Sequence, residues 1–306
     1  MKFKKIRRKI RYTVVYLLIR AMIFISALVP RKMWLLVCGA LGSLSYYFAS
    51  KSRKLTIKHL TMAYEKEKSP AEIKHLAKQV FFMMGKNGGD ILRAVNIKDF
   101  EAFDKFRIAN NPQFAEEAHK KGKGVIFLTA HLGAFEFTAT EMSYRGYQPH
   151  IIGAPMKDER LNNLLWEQRI KFGATIVERG KDTFRLIKAL KRGGTTGILI
   201  DQDTRVKSVF VNFFGIPCAT PVGAAVLALK TGAAVVPIFS HLNEHGKQEI
   251  NFYPEVEITR TGNEEQDILE NTQRLSNVIE AEIRKYPEQW LWLHERWKTK
   301  PGEEIR

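Results

Sequence analysis

Short apolar segments alternate with helical segments through the middle of this chain. The apolar segments have the length and residue types of β-strands; they cover 124–130, 150–154, 174–177, 196–201, 234–240 and 249–258. Helices are predicted near 135–145, 158–172, 182–192 and 221–231, and a long polar helix follows at 264–286. Strands that alternate with helices form mostly parallel sheets, because parallel neighbours need a crossover connection. The sequence therefore predicts an α/β fold: a mixed, largely parallel sheet covered by helices on both faces.

The chain is long enough to fold around its own apolar core. With 306 residues it needs neither a disulfide nor a structural metal to be stable. Its two cysteines, Cys38 and Cys218, lie far apart and outside any metal-binding spacing, so we expect reduced thiols and no metal. Repeats and linkers are absent from the sequence. We predict two parts, a basic N-terminus with a membrane anchor or interfacial helix (1–50) and one catalytic domain (51–306).

The N-terminus combines a basic segment with an apolar one. Residues 1–11 contain seven basic side chains and no acidic one, and residues 12–30 are apolar apart from Arg20. At 1.5 Å per residue this apolar segment would extend roughly 28 Å, close to the thickness of the hydrocarbon core. The preceding lysines and arginines predict a cytoplasmic N-terminus. We interpret residues 12–49 as a membrane anchor plus an interfacial helix; a buried helical hairpin and a cleaved signal peptide are the alternatives.

The charge of the chain predicts an anionic partner. The formal net charge is +17, and the chain remains basic without its first eleven residues. Nucleic acid, an anionic membrane and an acidic protein all suit such a surface. Because the basic segment directly precedes an apolar one, and no nucleic-acid-binding motif is recognisable, we predict an anionic membrane as a partner and no nucleic acid.

The segment FLTAHLGAFEF (127–137) contains the first candidate for catalysis. His131 ends a predicted buried strand, and ligands bind at that end of parallel strands. Gly133 permits a tight turn and the close approach of another group. Glu136 falls in the first turn of the next helix, where it could hold one imidazole nitrogen while the other takes a proton from a hydroxyl. The alternative is a chance spacing of a histidine and a glutamate.

A second candidate lies in TGILIDQDTR (196–205). The D-x-D-x-T pattern from Asp201 resembles the haloacid-dehalogenase phosphatases, but the acidic pair that would hold their Mg²⁺ is missing downstream. Asp201 also ends a predicted buried strand, and a buried carboxylate needs a partner, for which Arg169 is a candidate. Serine-hydrolase, P-loop, dinucleotide-binding and HExxH motifs are absent from the sequence. Trp290, Trp292 and Trp297 are expected in the core, and His59, His241 and His245 in solvent.

Five separated segments together resemble one family. They are TAHLGAFEF, LNNLLWEQRIKFGATIV, LKRGGTTGILIDQD, VNFFGIPCATPVGAAVLALKTGAAVVPIF and YPEQWLWLHERWKTKP. Their order is similar to that of the lauroyl/myristoyl acyltransferases of lipid A biosynthesis, within the glycerolipid acyltransferase superfamily. The resemblance extends over residues 1–301. No single segment is decisive, but the ordered set is specific.

The resemblance implies transfer of an acyl chain from an acyl carrier protein, or from acyl-CoA, to a hydroxyl of a lipid A precursor or related glycolipid, without a cofactor. His131 would be the general base and Glu136 its partner. The resemblance also implies substrate-binding positions at Arg169, Asp201, Gly133, Phe214 and Gly215. The turn at 213–215 would help to shape the acyl pocket. The implied location is the bacterial inner membrane, with the catalytic domain facing the cytoplasm.

One block departs from the family pattern and leaves the acceptor open. After the anchor, the lipid A enzymes usually carry an arginine and an asparagine, whereas this chain has Arg53 followed by Lys58 and His59. Another membrane lipid, such as an aminolipid, is therefore an alternative acceptor. A non-catalytic lipid-binding protein and a D-x-D-x-T phosphohydrolase are the alternatives from other functional classes.

Overall fold

A seven-stranded sheet forms the centre of the computed structural model, which describes residues 2–178 and 183–303. The strands are β1 (Arg107–Asn110), β2 (Val125–Thr129), β3 (His150–Gly153), β4 (Thr175–Glu178), β5 (Thr195–Leu199), β6 (Ser208–Phe213), β7 (Ile216–Pro221), β8 (Ala234–Leu242) and β9 (Gln248–Phe252). The sheet has the order β1-β9-β8-β2-β5-β3-β4, and only β8 and β9 pair antiparallel within it. Strands β6 and β7 form a separate antiparallel hairpin. The predicted mixed, largely parallel sheet is confirmed.

Helices cover this sheet and extend from it at the N-terminus. They are α1 (Lys2–Leu28), α2 (Arg31–Phe48), α3 (Ser50–Tyr64), α4 (Pro70–Ala94), α5 (Phe100–Asp104), α6 (Gln113–Lys120), α7 (Glu136–Tyr144), α8 (Glu159–Ile170), α9 (Thr183–Lys191), α10 (Gly223–Thr231) and α11 (Glu264–Lys285). A short 3-10 helix, Pro287–Gln289, follows α11. The predicted start of one helix at residue 182 lies outside the described residues.

Strand β2 shows why both faces of the sheet must be covered. All five of its residues are buried. Ile126 and Leu128 pack in one apolar cluster with residues of α9, α10 and α11, whereas Val125 and Phe127 pack in another with residues of α6 and α7. Successive side chains of a strand point to opposite faces, so an uninterrupted apolar strand needs apolar neighbours on each side.

Two features of the sheet were not predicted. Strand β1 is short and polar, and it adds to the edge beside β9. The β6–β7 hairpin turns at Phe214 and Gly215, which both have positive φ (53° and 72°). The strand predicted at 249–258 ends at Phe252 instead, because Pro254 has no N–H to donate to a neighbouring strand.

Helix α2 packs against α4 at very short range. A Cβ atom on Gly42 would lie 2.2 Å from the carbonyl oxygen of Phe81, and one on Gly85 would lie 2.2 Å from that of Cys38. Glycines at the crossing therefore allow the two backbones to touch. The opposite face of α2 is apolar and exposed; it presents Met33, Leu36, Val37, Leu41, Leu44, Tyr47 and Phe48.

The N-terminal helix has the length and composition of a membrane span. Among the described helices, Ile6–Leu28 within α1 is long and apolar enough to cross a bilayer. Helices α2 and α3 meet at 94° and would supply a second candidate only if they formed one broken span.

Candidate active site

His131 and Asp201 meet at the carboxyl edge of the sheet. Strands β2 and β5 are parallel neighbours, with Thr129 opposite Leu199 where both strands end. The polypeptide continues for two residues beyond the end of each strand, which brings His131 beside Asp201. The pairing register thus joins two residues that are seventy positions apart.

Three donors hold the Asp201 carboxylate. The Nδ1 atom of His131 lies 2.9 Å from Oδ1, the backbone N–H of His131 donates to Oδ2 at 2.8 Å, and the indole N–H of Trp290 donates to Oδ2 at 2.8 Å. The carboxylate has no exposed surface. Burial alone would raise the pKa of Asp201, but the charge of His131 and these hydrogen bonds outweigh it and lower the pKa to about 2.

An ionised Asp201 fixes the tautomer of His131. A carboxylate only accepts hydrogen bonds, so Nδ1 carries the proton and Nε2 presents a lone pair. The Nε2 atom makes no hydrogen bond within the part of the chain that the structure describes. About a fifth of the His131 side chain is exposed (21%), and the ring of Phe135 packs edge-on against it at 4.8 Å. The ring is thus held through Nδ1 while part of its surface stays exposed.

The predicted partners of His131 and Asp201 are wrong. The sequence suggested that Glu136 holds His131 and that Arg169 pairs with Asp201. In the structure, Glu136 and Arg169 pair with each other through two hydrogen bonds, Nε to Oε2 at 2.9 Å and Nη2 to Oε1 at 2.7 Å. The chain turns at Gly133 after His131, so Glu136 begins α7 and meets α8, while Asp201 reaches His131 from the neighbouring strand.

The backbone at Gly133 is closely surrounded by other backbone atoms. Its φ is 59°, and a Cβ atom there would lie 2.2 Å from the carbonyl oxygen of Ser240. Its N–H donates to the carbonyl oxygen of Gln289 at 2.9 Å, and the N–H of Leu291 donates to that of His131 at 3.1 Å. The segment after the 3-10 helix therefore holds the His131 turn on one side, as Trp290 holds Asp201.

The sequence did not reveal the roles of Gln289, Trp290 and His294. The side chain of Gln289 accepts from Asn87 and bonds both backbone groups of Leu242. His294 lies 3.1 Å from the carbonyl oxygen of Asp203 through Nε2, which ties the closing segment to the loop after Asp201. A signal was present in YPEQWLWLHERWKTKP, where several hydrogen-bonding side chains stand among tryptophans.

An apolar cavity of about 180 Å³ opens beside α7. It lies among α1, α4, α7 and α8, and its wall includes Ile19, Ile23, Val95, Phe103, Phe137, Leu164, Leu165 and Phe172. Glu136 and Arg169 line the same cavity. The Glu136–Arg169 ion pair therefore lies at the wall of the apolar space, and Glu136 connects this wall to the start of α7, five residues after His131.

The structure places Phe214 and Gly215 elsewhere. They form the tip of the β6–β7 hairpin and do not line this cavity. The ring of Phe214 packs against Tyr64 and Trp292, with centroids 5.4 and 5.6 Å apart. Phe213 instead contacts Trp290, which holds Asp201. The hairpin therefore packs against Trp290, one of the residues that hold Asp201. Substrate binding by Phe214 and Gly215 stays a prediction.

The environment of Asp201 and Asp203 is unlike that of a phosphatase nucleophile. Asp201 is enclosed by His131 and Trp290, and Asp203 accepts from the N–H of Thr299 at 2.8 Å. Within residues 2–178 and 183–303, no group of three or more His, Cys, Asp or Glu side chains could hold a metal ion. A fully buried carboxylate has no access to a phosphate ester.

Comparisons with known proteins give one family model and several partial matches. A family model described as bacterial lipid A biosynthesis acyltransferase matches residues 1–299. A lipid A biosynthesis lauroyltransferase of Escherichia coli (strain K12) is 34% identical over 196 residues, which are 60% of this chain and 59% of that protein. A lipid A biosynthesis palmitoleoyltransferase of the same organism is 29% identical over 187 residues (58% and 55%). A phosphatidylinositol mannoside acyltransferase of Mycolicibacterium smegmatis is 26% identical over 190 residues (60% of each). The match thus spans less than two thirds of each relative.

Proposed function

Because the chain belongs to the bacterial lipid A biosynthesis acyltransferase family, we propose that it is a membrane-associated acyltransferase. It moves a fatty acyl chain from a thioester to a hydroxyl of a lipid A precursor or a related glycolipid. The observation that carries the proposal is the His131–Asp201 pair, which leaves Nε2 of His131 free of hydrogen bonds within the described chain.

His131 is the general base of the transfer. Its Nε2 atom takes the proton of the acceptor hydroxyl as the oxygen attacks the thioester carbonyl carbon. A C–O bond forms, the C–S bond then breaks, and the leaving thiolate takes the proton from the imidazolium. Asp201, and not Glu136, orients the ring and stabilises the imidazolium. The reaction needs no covalent enzyme intermediate.

The start of α7 offers donors for the oxyanion. The N–H groups of Ala134, Phe135 and Glu136 make no hydrogen bond within the described chain, whereas that of Gly133 is used by Gln289. The first N–H groups of a helix have no partner within it and carry partial positive charge. Placed just after His131, they suit the negative oxygen of a tetrahedral intermediate.

The apolar cavity is the site for the acyl chain. Its wall is almost entirely hydrocarbon, with α1, α4, α7 and α8 all contributing. Each CH₂ group moved from water into such a space gains about 0.8 kcal/mol. The thioester end of a chain bound there would lie toward the first turn of α7.

The Glu136–Arg169 pair positions substrate at the edge of this cavity. Glu136 occupies Nε and Nη2 of Arg169, which fixes the plane of the guanidinium and leaves Nη1 outside the ion pair. Each side chain retains 12% exposure. A fixed guanidinium suits a phosphate of the donor or of the acceptor.

The charge and surface of the chain suit an acidic donor and an anionic membrane. The net charge of +17 would attract an acyl carrier protein or acyl-CoA, and anionic lipids as well. The exposed apolar faces of α1 and α2 fit a bilayer. We place the protein at the bacterial inner membrane with the catalytic domain in the cytoplasm.

A different glycolipid is the second candidate acceptor. The mannoside acyltransferase relative favours it, as do Lys58 and His59 in the block where an asparagine is expected, whereas Arg53 hydrogen-bonds the carbonyl oxygens of Tyr46 and Tyr47 at the end of α2. In this chain Arg53 therefore has a structural partner of its own. An aminolipid remains among the acceptors to be tested.

The test is acyl transfer by purified protein in detergent without added metal. Acyl carrier protein and CoA thioesters are each offered with a lipid A precursor or with a total lipid extract. His131→Ala and Asp201→Asn should abolish most transfer, whereas His245→Ala, which changes an exposed histidine, should not. Transfer only to the extract would change the acceptor. Turnover that does not depend on His131, or a protein that binds lipid without turnover, would overturn the mechanism.

A further inference from the structure

Helix α1 has two different long faces. One is exposed and apolar, with residues three, four or seven positions apart; it presents Ile10, Val14, Leu17, Phe24 and Leu28. The other face is turned toward the protein; it presents Thr13, Tyr16, Ile19, Ile23 and Ser26. This spacing gives two stripes along a helix with 3.6 residues per turn. A helix surrounded by lipid on all sides is expected to be apolar all round, without an inward stripe that contains polar side chains.

The inward face is fastened to the catalytic domain near the middle of α1. The Nη2 atom of Arg160 donates to the Thr13 hydroxyl at 3.1 Å. The guanidinium of Arg160 lies 5.0 Å from the centroid of the Tyr16 ring, and Asp158 pairs with the same guanidinium at 2.9 Å. The middle of α1 thus rests on a charged pair at the start of α8.

The C-terminal end of α1 is fastened to α4 and the residues after it. The Asn96 amide donates to the carbonyl oxygen of Ile23 at 2.9 Å and to the Ser26 hydroxyl at 3.0 Å. Arg93 donates to the carbonyl oxygens of Ser26 and Val29. Among these acceptors, the carbonyl of Ser26 lies in the last turn of α1, where it has no partner within the helix.

The junction with α2 is fastened as well. Arg31, the first residue of α2, pairs with the fully buried carboxylate of Asp90, with Nε 2.8 Å from Oδ1. Arg31 also donates to the carbonyl oxygen of Gly246, at the turn between β8 and β9. The polypeptide therefore cannot leave the catalytic domain between α1 and α2 without breaking a buried ion pair.

These contacts are incompatible with a helix that crosses the hydrocarbon core. Thr13 and Ser26 are separated by roughly 20 Å along the helix axis, against a core about 30 Å thick. Arg160 contacts α1 at Thr13, and Arg93 contacts it at Ser26. If α1 crossed the bilayer, at least one of these arginines would lie inside the hydrocarbon core, together with the helix that carries it. Charged side chains at that depth are strongly disfavoured.

The flanking charges lead to the same conclusion. Basic residues precede the apolar segment at Arg7, Arg8, Lys9 and Arg11. They also follow it at Arg31, Lys32, Lys51 and Lys54. Positive flanks stay on the cytoplasmic side, and a single crossing would put one of these sets on the other side.

We propose that α1 lies in the plane of one anionic leaflet, with its exposed stripe in the acyl region and its inward stripe on the catalytic domain. Basic amphipathic helices bind membranes in this way, with the apolar face about 5–10 Å deep. Since Ile19 and Ile23 also line the cavity, one helix separates the acyl site from the lipid. The proposal rests on the membrane association proposed above but not on catalysis.

Cysteine labelling in sealed vesicles tests this orientation. Both native cysteines are buried, so introduced thiols dominate the signal. We expect Lys9→Cys and Lys300→Cys to react with a membrane-impermeant maleimide from the same side, in inverted vesicles and not in right-side-out ones. Labelling of the two positions from opposite sides would overturn the proposal, and so would a protein that is washed off the vesicles by buffer. Neither outcome depends on acyl transfer.

Depth measurements along the helix provide an independent test. Nitroxides at Ile10, Leu17, Phe24 and Leu28 report the depth of the exposed stripe by power saturation, with Lys300 as the aqueous control. An in-plane helix predicts a similar depth at all four positions. A depth that is greatest at Leu17 and falls toward both ends would show a crossing helix and refute the proposal.

Discussion

Replacing Asp201 by asparagine separates the two roles of its carboxylate. In the native site Oδ2 accepts from two N–H groups, the backbone of His131 and the indole of Trp290, while Oδ1 accepts from the imidazole. An asparagine has one oxygen, and the two converging donors will hold it in the place of Oδ2. Its NH₂ group then faces Nδ1 of His131 and donates to it, which puts the ring proton on Nε2. The acceptor nitrogen is lost although every atom keeps its place.

The expected loss can be estimated from the same contacts. General-base catalysis contributes roughly 10²–10⁴-fold to a rate, so kcat of Asp201→Asn should fall by that amount with KM little changed. The pKa of Asp201 falls from 3.8 to about 2 on folding. That difference corresponds to about 2 kcal/mol in favour of the charged form. It stabilises the fold fully above pH 3.8, is lost as the pH falls to about 2, and should be missing from the variant.

Steady-state acyl transfer and the ¹⁵N chemical shifts of His131 check this prediction. The native ring should carry its proton on Nδ1 and the variant ring on Nε2. Glu136→Gln is the matched control, since it removes a charge from the other carboxylate and should alter KM while leaving the tautomer unchanged. An Asp201→Asn enzyme with native kcat and an unchanged tautomer would refute the assignment of His131 as the base.

Other changes test the remaining parts of the site. Arg169→Lys loses the two-point pairing and should raise KM about tenfold, measured by steady-state kinetics. Gly133→Ala forces a methyl group against the Ser240 carbonyl and should cost about 1–3 kcal/mol or more in thermal unfolding. Leu164→Trp fills part of the cavity and should shift donor preference to shorter chains in a competition assay. Burial lowers the pKa of His241 from 6.5, so urea stability should fall as the pH drops below 6.5, where the unfolded chain binds more protons.

Each of these expectations has a matched control. Arg205→Lys changes an arginine outside the ion pair, Gly122→Ala a surface glycine with open space around it, and Leu269→Trp an exposed leucine. An unchanged KM in Arg169→Lys would contradict substrate positioning by the ion pair. Native stability in Gly133→Ala would contradict the close packing at this glycine, and a native chain preference in Leu164→Trp would contradict acyl binding in the cavity. A His241→Gln protein that keeps the native pH dependence would show that other groups cause it.

The elements of the fold could be predicted from the sequence because their signals are local. Strand β2 is an unbroken apolar run, and β8 and the helices between the strands have equally strong patterns. Trp290, Trp292 and Trp297 are buried, as predicted. The four-residue strand β1 is too short for such a pattern and was missed, and the β6–β7 hairpin was missed although its segment is apolar.

The pairing of side chains could not be predicted, because it depends on strand order. Nothing in the sequence states that β5 lies next to β2, and only that neighbourhood brings Asp201 to His131. The five-residue spacing between His131 and Glu136 suggested a partner near in sequence, whereas the partner of His131 in the structure, Asp201, is distant in sequence. His59 and His241 were expected in solvent, but that prediction is wrong. His59 lies 3.0 Å from the carbonyl oxygen of Trp292, and the ring of His241 stacks on that of Tyr286.

The glycine crossing of α2 and α4 decides where the chain can be shortened. Since the two backbones touch, α2 packs as one unit with α4, and the domain boundary near residue 50 stays a prediction. A chain that starts after Phe48 would uncover the α4 glycines and leave Asp90 without Arg31. A chain that starts at Pro30 keeps both, but it loses α1 together with the cavity wall at Ile19 and Ile23 and the α1 partners of Arg93 and Asn96. A shortened protein that is easier to handle should therefore begin at the helix break and not at the end of the apolar region.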